Sequence, residues 1–550
     1  MNGSTPESWQ SKVARKQRAV KANIPKEWLI PSRVDVSSNV LEIPRNCGLL
    51  TKKELEITES HDAKTLLHLL STGTLTSSEV TTAFCKRAAI AQQLTSCLTE
   101  IMFNYAEERA AFLDRYLAIN KKVLGPLHGL PISLKDSFNV KGFQTSIGIV
   151  SFLDHEPAQS NSVLVDTLLD LGAVLYVKTN VPQAVLTADS HNNIFGRTLN
   201  PRNTSLTAGG SSGGEGALIA LRGSVLGVGT DLAGSIRTPS SCCGVYGFKP
   251  SSGRIPWAGQ AIPGAEGVAG ISGMLPSAGP MANSLTDIQL FMSTVLGTRP
   301  WLDDSAAHAI PWRSEDLKGN SLTIGILAED PMFPLHPPIR RAIKKAIQII
   351  SAAGHKVIEL EHEESTRASI GGRLAVEAMT LDPSMTLVKN IMVSGEPMVP
   401  SLLRGTRRRA EKDPKTYGVL EIAAMGLEIR AYKEAWRELF KHQKLDVVLG
   451  PASQHTAIEH DKYQLPAYGC MWNVLDYPAC LIPYSYASKD LDPSPFSIVE
   501  PCLGESYKPM ISDGMPCALQ ISALRLEDEK CLHAAQIIEG LLKKDEALTG

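Results

Sequence analysis

The chain has 550 residues, 43% of them hydrophobic and 20% charged, with a formal net charge of −2. That length and apolar content can bury a substantial core, and length alone would suggest two or more domains. The near-neutral balance, with Lys and Arg spread along the chain, gives no basic footprint for nucleic acid or an anionic membrane surface.

Residues 1–50 read as an arm, made of a basic helical stretch over Trp9–Ala22, the segment Ile24-Pro25-Lys26-Glu27-Trp28 and a Pro-containing extended stretch. Helical patterns follow at Ala63–Leu70, Ser77–Gln93 and Tyr105–Asn120, the second opening on Ser-Ser-Glu as a cap. Strand and helix then alternate: strand Pro131–Lys135, helix Ser162–Leu171, strand Ala173–Lys178, helix Gly214–Arg222. Alternation at this spacing predicts parallel βαβ units and an α/β core, a central mixed but largely parallel sheet covered by helices. Residues 251–280, rich in Gly, Ser and Pro, read as a lid or pocket wall. Residues 366–417 break the rhythm with Met- and Leu-bearing helical stretches that are expected to cover the site, and the basic run Arg404–Arg409 within them reads as a solvated face. Alternation resumes at Leu445–Leu449, Ala479–Pro483 and Met515–Ile521 and closes on a helix at Leu526–Leu542.

Chemistry concentrates between Gly209 and Pro250, where eleven glycines and six serines surround two short apolar runs. Glycine at that density serves positive φ or the close approach of amides to a ligand. Interleaved hydroxyls fit a nucleophile beside amides that stabilise a transient oxyanion. Two serines compete for that role. Gly209-Gly210-Ser211-Ser212-Gly213 matches the nucleophile elbow of α/β-hydrolases, but the polar, turn-forming residues 200–207 before it offer no buried strand. The second reading starts from the strand end Leu226–Leu232, which runs into Ala233-Gly234-Ser235 and a short helix opened by Pro239. Ser235 then stands at a strand-to-helix junction, with the amides of Leu232, Ala233 and Gly234 facing a substrate carbonyl.

A serine hydroxyl needs a base. None of the thirteen histidines, His308, His336, His455 and His533 among them, lies in a Gly-rich or strand-end context that singles it out. Lys135 does, because Gly125-Pro-Leu-His-Gly-Leu-Pro-Ile-Ser-Leu-Lys135-Asp136 delivers it at the carboxyl end of an apolar strand. Burial there would favour the neutral amine. On the residues alone a solvated strand-end charge is the alternative.

Four linked segments decide between these. Pro-Ile-Ser-Leu-Lys135-Asp, Gly-Gly-Ser211-Ser-Gly-Gly-Glu-Gly-Ala, Gly-Thr-Asp-Leu-Ala-Gly-Ser235-Ile-Arg-Thr-Pro-Ser and Cys-Gly-Val-Tyr-Gly-Phe-Lys-Pro resemble the amidase signature family in order and separation. Segments Ile24–Trp28, Phe84–Leu94 and Tyr176–Gln183 look like those of fungal acetamidases and general amidases. The resemblance implies one amidase signature domain over 51–550, with its signature core at about 125–255. It implies hydrolysis of carboxylic acid amides through an acyl-enzyme by a Ser-Ser-Lys triad: Ser235 as nucleophile, Ser211 as relay after a cis bond from Gly210, and Lys135, neutral, as base. The amides of Leu232, Ala233, Gly234 and Ser235 would form the oxyanion hole, and Thr230, Asp231 and Arg237 would orient the site. Ala233 stands where the family usually has Gly, which is harmless at negative φ and is expected to touch selectivity rather than chemistry.

Neither the resemblance nor the ten cysteines, which include Cys242-Cys243 but no C-x-x-C spacing, calls for a cofactor, a metal or disulfides. The polar Met1–Gln10 lacks a secretory h-region, no run reaches 18 apolar residues and Glu546–Gly550 is no retention address, so the cytoplasm is the expected location. The expected partner is a small-molecule amide, with a homodimer possible by analogy. The alternatives are an amidotransferase-type subunit working with companion chains, a His-based esterase, and a non-catalytic binding protein on the same scaffold.

Overall fold

Strands buried along their whole length, as are Val174–Thr179 and Val447–Pro451, offer no face to water and lie inside a sheet covered on both sides. In the computed structural model, which describes residues 7–549 except 33–37, 265–270, 272, 314–320, 362, 383 and 405–416, eleven strands form one sheet. In chain order they are β1 (Leu98–Ile101), β2 (Pro131–Lys135), β3 (Val174–Thr179), β4 (Leu226–Asp231), β5 (Tyr246–Lys249), β6 (Ser277–Ala282), β7 (Thr323–Ile326), β8 (Lys356–Glu359), β9 (Val447–Pro451), β10 (Ala479–Tyr486) and β11 (Pro516–Ser522). Their spatial order is β1-β3-β2-β4-β6-β5-β10-β11-β9-β7-β8.

The sheet is mixed, and less parallel than the alternation predicts. Parallel ladders join β3 to β2, β2 to β4, β9 to β7 and β7 to β8, whereas the other six ladders are antiparallel. The parallel pairs lie where a helix carries the chain across the sheet, Val163–Asp170 from β2 to β3 and Pro337–Ala352 from β7 to β8. One source of the difference is β6, which the Gly/Ser/Pro composition of 251–280 conceals. It runs antiparallel between β4 and β5. Those small residues let it pass close to its neighbours: a Cβ on Gly279 would lie 2.2 Å from the Phe248 carbonyl oxygen.

Helices cover both faces. Among those that bear on the site are α1 (Trp9–Ala22), α2 (Ser77–Thr95), α3 (Phe103–Asn120), α4 (Gly213–Ala220), α5 (Arg237–Cys243), α6 (Ala467–Leu475) and α7 (Asp528–Thr549). α2 starts at Ser77, as its pattern predicts, but its cap is the residue before the Ser-Ser-Glu. Thr76 is the cap: its hydroxyl accepts the Glu79 amide and the Glu79 carboxylate accepts the Thr76 amide, while Asp114 of α3 takes the amides of Ser77 and Ser78. α5 starts at Arg237, two residues before Pro239. Fully buried Phe84, Leu113, Val165 and Leu168 fill the space between helices and sheet, each contributing about 1.5–3 kcal/mol on an apolar-area basis.

α1 of the arm lies on the body through Lys12, 2.5 Å from Asp154, through Lys16 on Glu100 of β1, and through Asn23, which donates to the Ile101 carbonyl. Residues 390–402 pack over the loops after β2 and β3: Val399 donates to Gln183, and Glu396 accepts from Val150, Gln183 and Asn193. Of the basic run, Arg404 pairs with Glu505 at 2.9 Å and 405–409 lie outside the described residues. No helix of the described residues is long and apolar enough to cross a membrane.

Candidate active site

Lys135 ends β2, and its side chain is fully buried. The neighbouring parallel strand β4 brings Thr230 beside it, and the chain entering α4 brings Ser211. Lys135 Nζ is 2.7 Å from Ser211 Oγ, 2.8 Å from Thr230 Oγ1 and 3.3 Å from the Thr230 carbonyl. Burial drives the Lys135 pKa down from the ordinary lysine value to about 7, against the upward pull of the Asp231 and Glu215 carboxylates. The solvated-charge alternative is thereby removed.

The adjacent serine pair divides as the resemblance implies. The peptide bond Gly210–Ser211 is cis, and Ser211 points to Lys135. Ser212 points instead to β4, its hydroxyl 3.4 Å from the Thr230 amide and 3.4 Å from the Thr230 carbonyl. A strand does precede these serines, Asn203–Thr207, contrary to the turn-like reading of its polar residues. It pairs with Leu199–Asn200 in a two-stranded ribbon, with a single bridge from Leu206 to Glu459, and is no part of the central sheet that a nucleophile elbow needs.

Ser235 lies between β4 and α5, as its junction sequence suggests. Its carbonyl accepts the Ser212 amide at 3.1 Å, which ties its backbone to the Ser211 segment. Among the described residues its hydroxyl makes no hydrogen bond. Lys135 and Ser211 are therefore joined directly, and Ser235 joins them through the backbone.

The turn 231–236 is organised by Asp231. Its carboxylate accepts the amides of Gly234 (2.8 Å) and Ile236 (3.0 Å), the Arg237 guanidinium at Nε and Nη2 (3.0 Å each) and Asn473 Nδ2 (2.9 Å). Burial alone would raise its pKa, but Arg237, Lys249 and Asn473 outweigh it and hold the carboxyl far below the usual range. Arg237 donates further to the Gly469 carbonyl, Gln520 and Asn473, so α6 and β11 are tied to the same knot. The positive φ in the turn falls on Gly234, at 102°, and not on Ala233, so the methyl of Ala233 is tolerated where it stands.

Of the four amides assigned to an oxyanion hole, that of Gly234 is committed to Asp231. Those of Leu232, Ala233 and Ser235 have no acceptor among the described residues. Three donors are left open in the turn that carries Ser235.

Glu215 belongs to this cluster and was not singled out from the sequence, although it stands in the Gly-Gly-Ser-Ser-Gly-Gly-Glu segment. It is fully buried, accepts from Ser133 (2.6 Å) and Thr179 (3.0 Å), and burial pushes its pKa up to about 7. Gly227 on β4 makes room for it, since a Cβ there would lie 2.1 Å from Glu215 Oε2. Asn473 and Gln520 were also missed. They come from segments more than 230 residues away, and nothing local marks them.

Asp231→Asn leaves a guanidinium fully buried without a countercharge, so the variant is expected to lose about 3–5 kcal/mol of stability. Urea unfolding of the two proteins measures this, and a loss below about 1 kcal/mol would mean that the knot does not hold the turn.

The architecture and the cluster fit the relatives of this chain. A family model described as Amidase matches residues 79–532. An "Amidase" of Gibberella moniliformis is 39% identical over 98% of this chain and 99% of its own length, and an "Acetamidase" of Emericella nidulans is 37% identical over the same shares. The structure named "Fatty acid amide hydrolase" superposes with a TM-score of 0.90 at 31% identity, covering 98% of this chain and 95% of that one. On fold, sequence and family match alike, the chain is an amide-hydrolysing enzyme and belongs to the amidase signature family.

Proposed function

We propose that the enzyme cleaves carboxylic acid amides through an acyl-enzyme on Ser235, with Ser211 and Lys135 as relay and base. The observation that carries this reading is the 2.7 Å contact between Ser211 Oγ and a buried Lys135 whose pKa lies near 7, since a neutral amine there can accept the Ser211 proton. Ser235 Oγ attacks the amide carbonyl carbon while its proton passes to Ser211 and the Ser211 proton passes to Lys135. The carbonyl oxygen takes the negative charge, facing the open amides of Leu232, Ala233 and Ser235. The C–N bond then breaks as the proton returns along the same path to the departing nitrogen. Water, deprotonated by the same relay, attacks the ester carbonyl and frees the acid and Ser235.

The relay from Ser235 to Ser211 closes when substrate seats, because catalytic hydrogen bonds commonly tighten only in the complex. Asp231, Arg237 and Thr230 position the turn and the base. The reading needs no cofactor and no companion chain.

Relatives named acetamidase and fatty acid amide hydrolase bracket the substrate size. Ammonia release from acetamide, benzamide and a long-chain primary amide tests the reading. Turnover of at least one, with an optimum in acyl length, is the expected outcome. No turnover of any of them would count against a stand-alone amidase.

A further inference from the structure

A cavity of about 430 Å³ opens at the opposite ends of the two helices that start at the catalytic serines. α4 begins at Gly213, two residues after Ser211, and ends at Ala220, which lines the cavity. α5 begins two residues after Ser235 and ends against Gly244, which also lines it. The length of α4, about 12 Å at 1.5 Å per residue, separates the two places. None of Lys135, Ser211 and Ser235 lines the cavity.

Its walls carry the cations Arg45, Arg87, Arg202, Arg222 and Lys543 and the acids Glu42, Glu59 and Glu539. Each acid is already paired: Glu42 with Arg45 (3.1 Å), Glu59 with Arg45 (2.8 Å) and Arg87 (2.7 Å), Glu539 with Lys543 (2.6 Å). The helix ends, whose carbonyls would repel an anion, are capped by Arg87 Nε on the Leu221 carbonyl (2.6 Å) and Arg202 Nε on the Cys243 carbonyl (3.0 Å).

Two cations are left over. Among the described residues no carboxylate lies within ion-pair distance of Arg202 or Arg222. Arg202 lies with its guanidinium 5.4 Å from the centroid of the Tyr486 ring, another wall residue. Arg222 is half-buried at the end of α4, and burial lowers its pKa although Glu59 and Asp287 lie near enough to pull it upward. Guanidiniums without countercharge, facing a cavity of ligand size, provide the forked donors that carboxylate and phosphate groups accept. We infer that this cavity binds a small organic anion, its carboxylate or phosphate group held by Arg222 and Arg202, at a site separate from the amide-cleaving centre.

Calorimetric titration of the full chain with succinate and with inorganic phosphate tests this, in a Ser235→Ala background so that no chemistry contributes. Saturable binding of at least one probe is expected, weakened about tenfold or more by Arg222→Asn and less by Arg222→Lys. Asn suits the variant because Arg222 has a φ of 58°, a conformation that Asn adopts readily, so the backbone is kept and the charge removed. Unchanged melting temperature identifies folded variants, and Arg202→Gln supplies a second one. Binding of succinate but not phosphate, or the reverse, assigns the anion class within the proposal. No saturable binding of either probe, or binding that Arg222→Asn and Arg202→Gln leave unchanged, overturns it. Because the readout is binding and not turnover, failure of the catalytic reading would leave this test standing.

Discussion

Ser235→Ala is expected to lower kcat/KM for every amide the enzyme cleaves by at least about 10⁴-fold, with the melting temperature unchanged. The two halves of that expectation have separate grounds. The Ser235 hydroxyl makes no hydrogen bond among the described residues, so its removal takes nothing from the fold. It is also the hydroxyl proposed to attack the amide, on the turn that carries the open amides of Leu232, Ala233 and Ser235. Ser211→Ala differs, since it removes a buried partner of Lys135 and is expected to cost stability as well as rate. A Ser235→Ala protein that retained a tenth of its activity would place the nucleophile elsewhere.

Lys135→Met is expected to lower kcat/KM by about 10²–10⁴-fold and to flatten its pH profile. In the native enzyme the base must be neutral to accept a proton, and burial sets its pKa near 7. Below that value Lys135 is an ammonium and idle; above it the amine is free. Activity therefore rises with pH across 7 and levels off above it. A histidine base would give a similar rise, but that rise would survive Lys135→Met. The same shift links to stability. The folded-state pKa is below that of an unfolded lysine, so between about 7 and 10.5 the unfolded chain binds the extra proton and stability increases with pH. Lys135→Met removes that contribution to the slope, which urea midpoints across the window measure.

The site was legible in the sequence to the extent that its parts are local. Lys135 at a strand end, Ser211 before a glycine-rich helix and Ser235 at a strand-to-helix junction each carry a short-range signature. The Asp231 knot does not, because Asn473, Gly469 and Gln520 reach it from α6 and β11 and only the folded sheet brings them near Arg237. Spending the Gly234 amide on Asp231 was likewise invisible, since it depends on how the turn closes. For the fold, the helices α1, α2 and α3 and the strand β2 follow their patterns closely. β6 does not, because Ser277–Ala282 has the composition of a loop and is a strand only by virtue of β4 and β5 on either side. Inserting it antiparallel breaks the parallel run that alternation alone would give.

The proposed mechanism depends on which oxygen carries the acyl group. Labelling the enzyme with a fluorophosphonate, followed by digestion and mass-spectrometric mapping of the modified peptide, addresses that directly. A single adduct on Ser235, absent from Ser235→Ala and formed far more slowly in Lys135→Met, is the outcome expected. An adduct on Ser211 or Ser212, or labelling at full rate without Lys135, would contradict it.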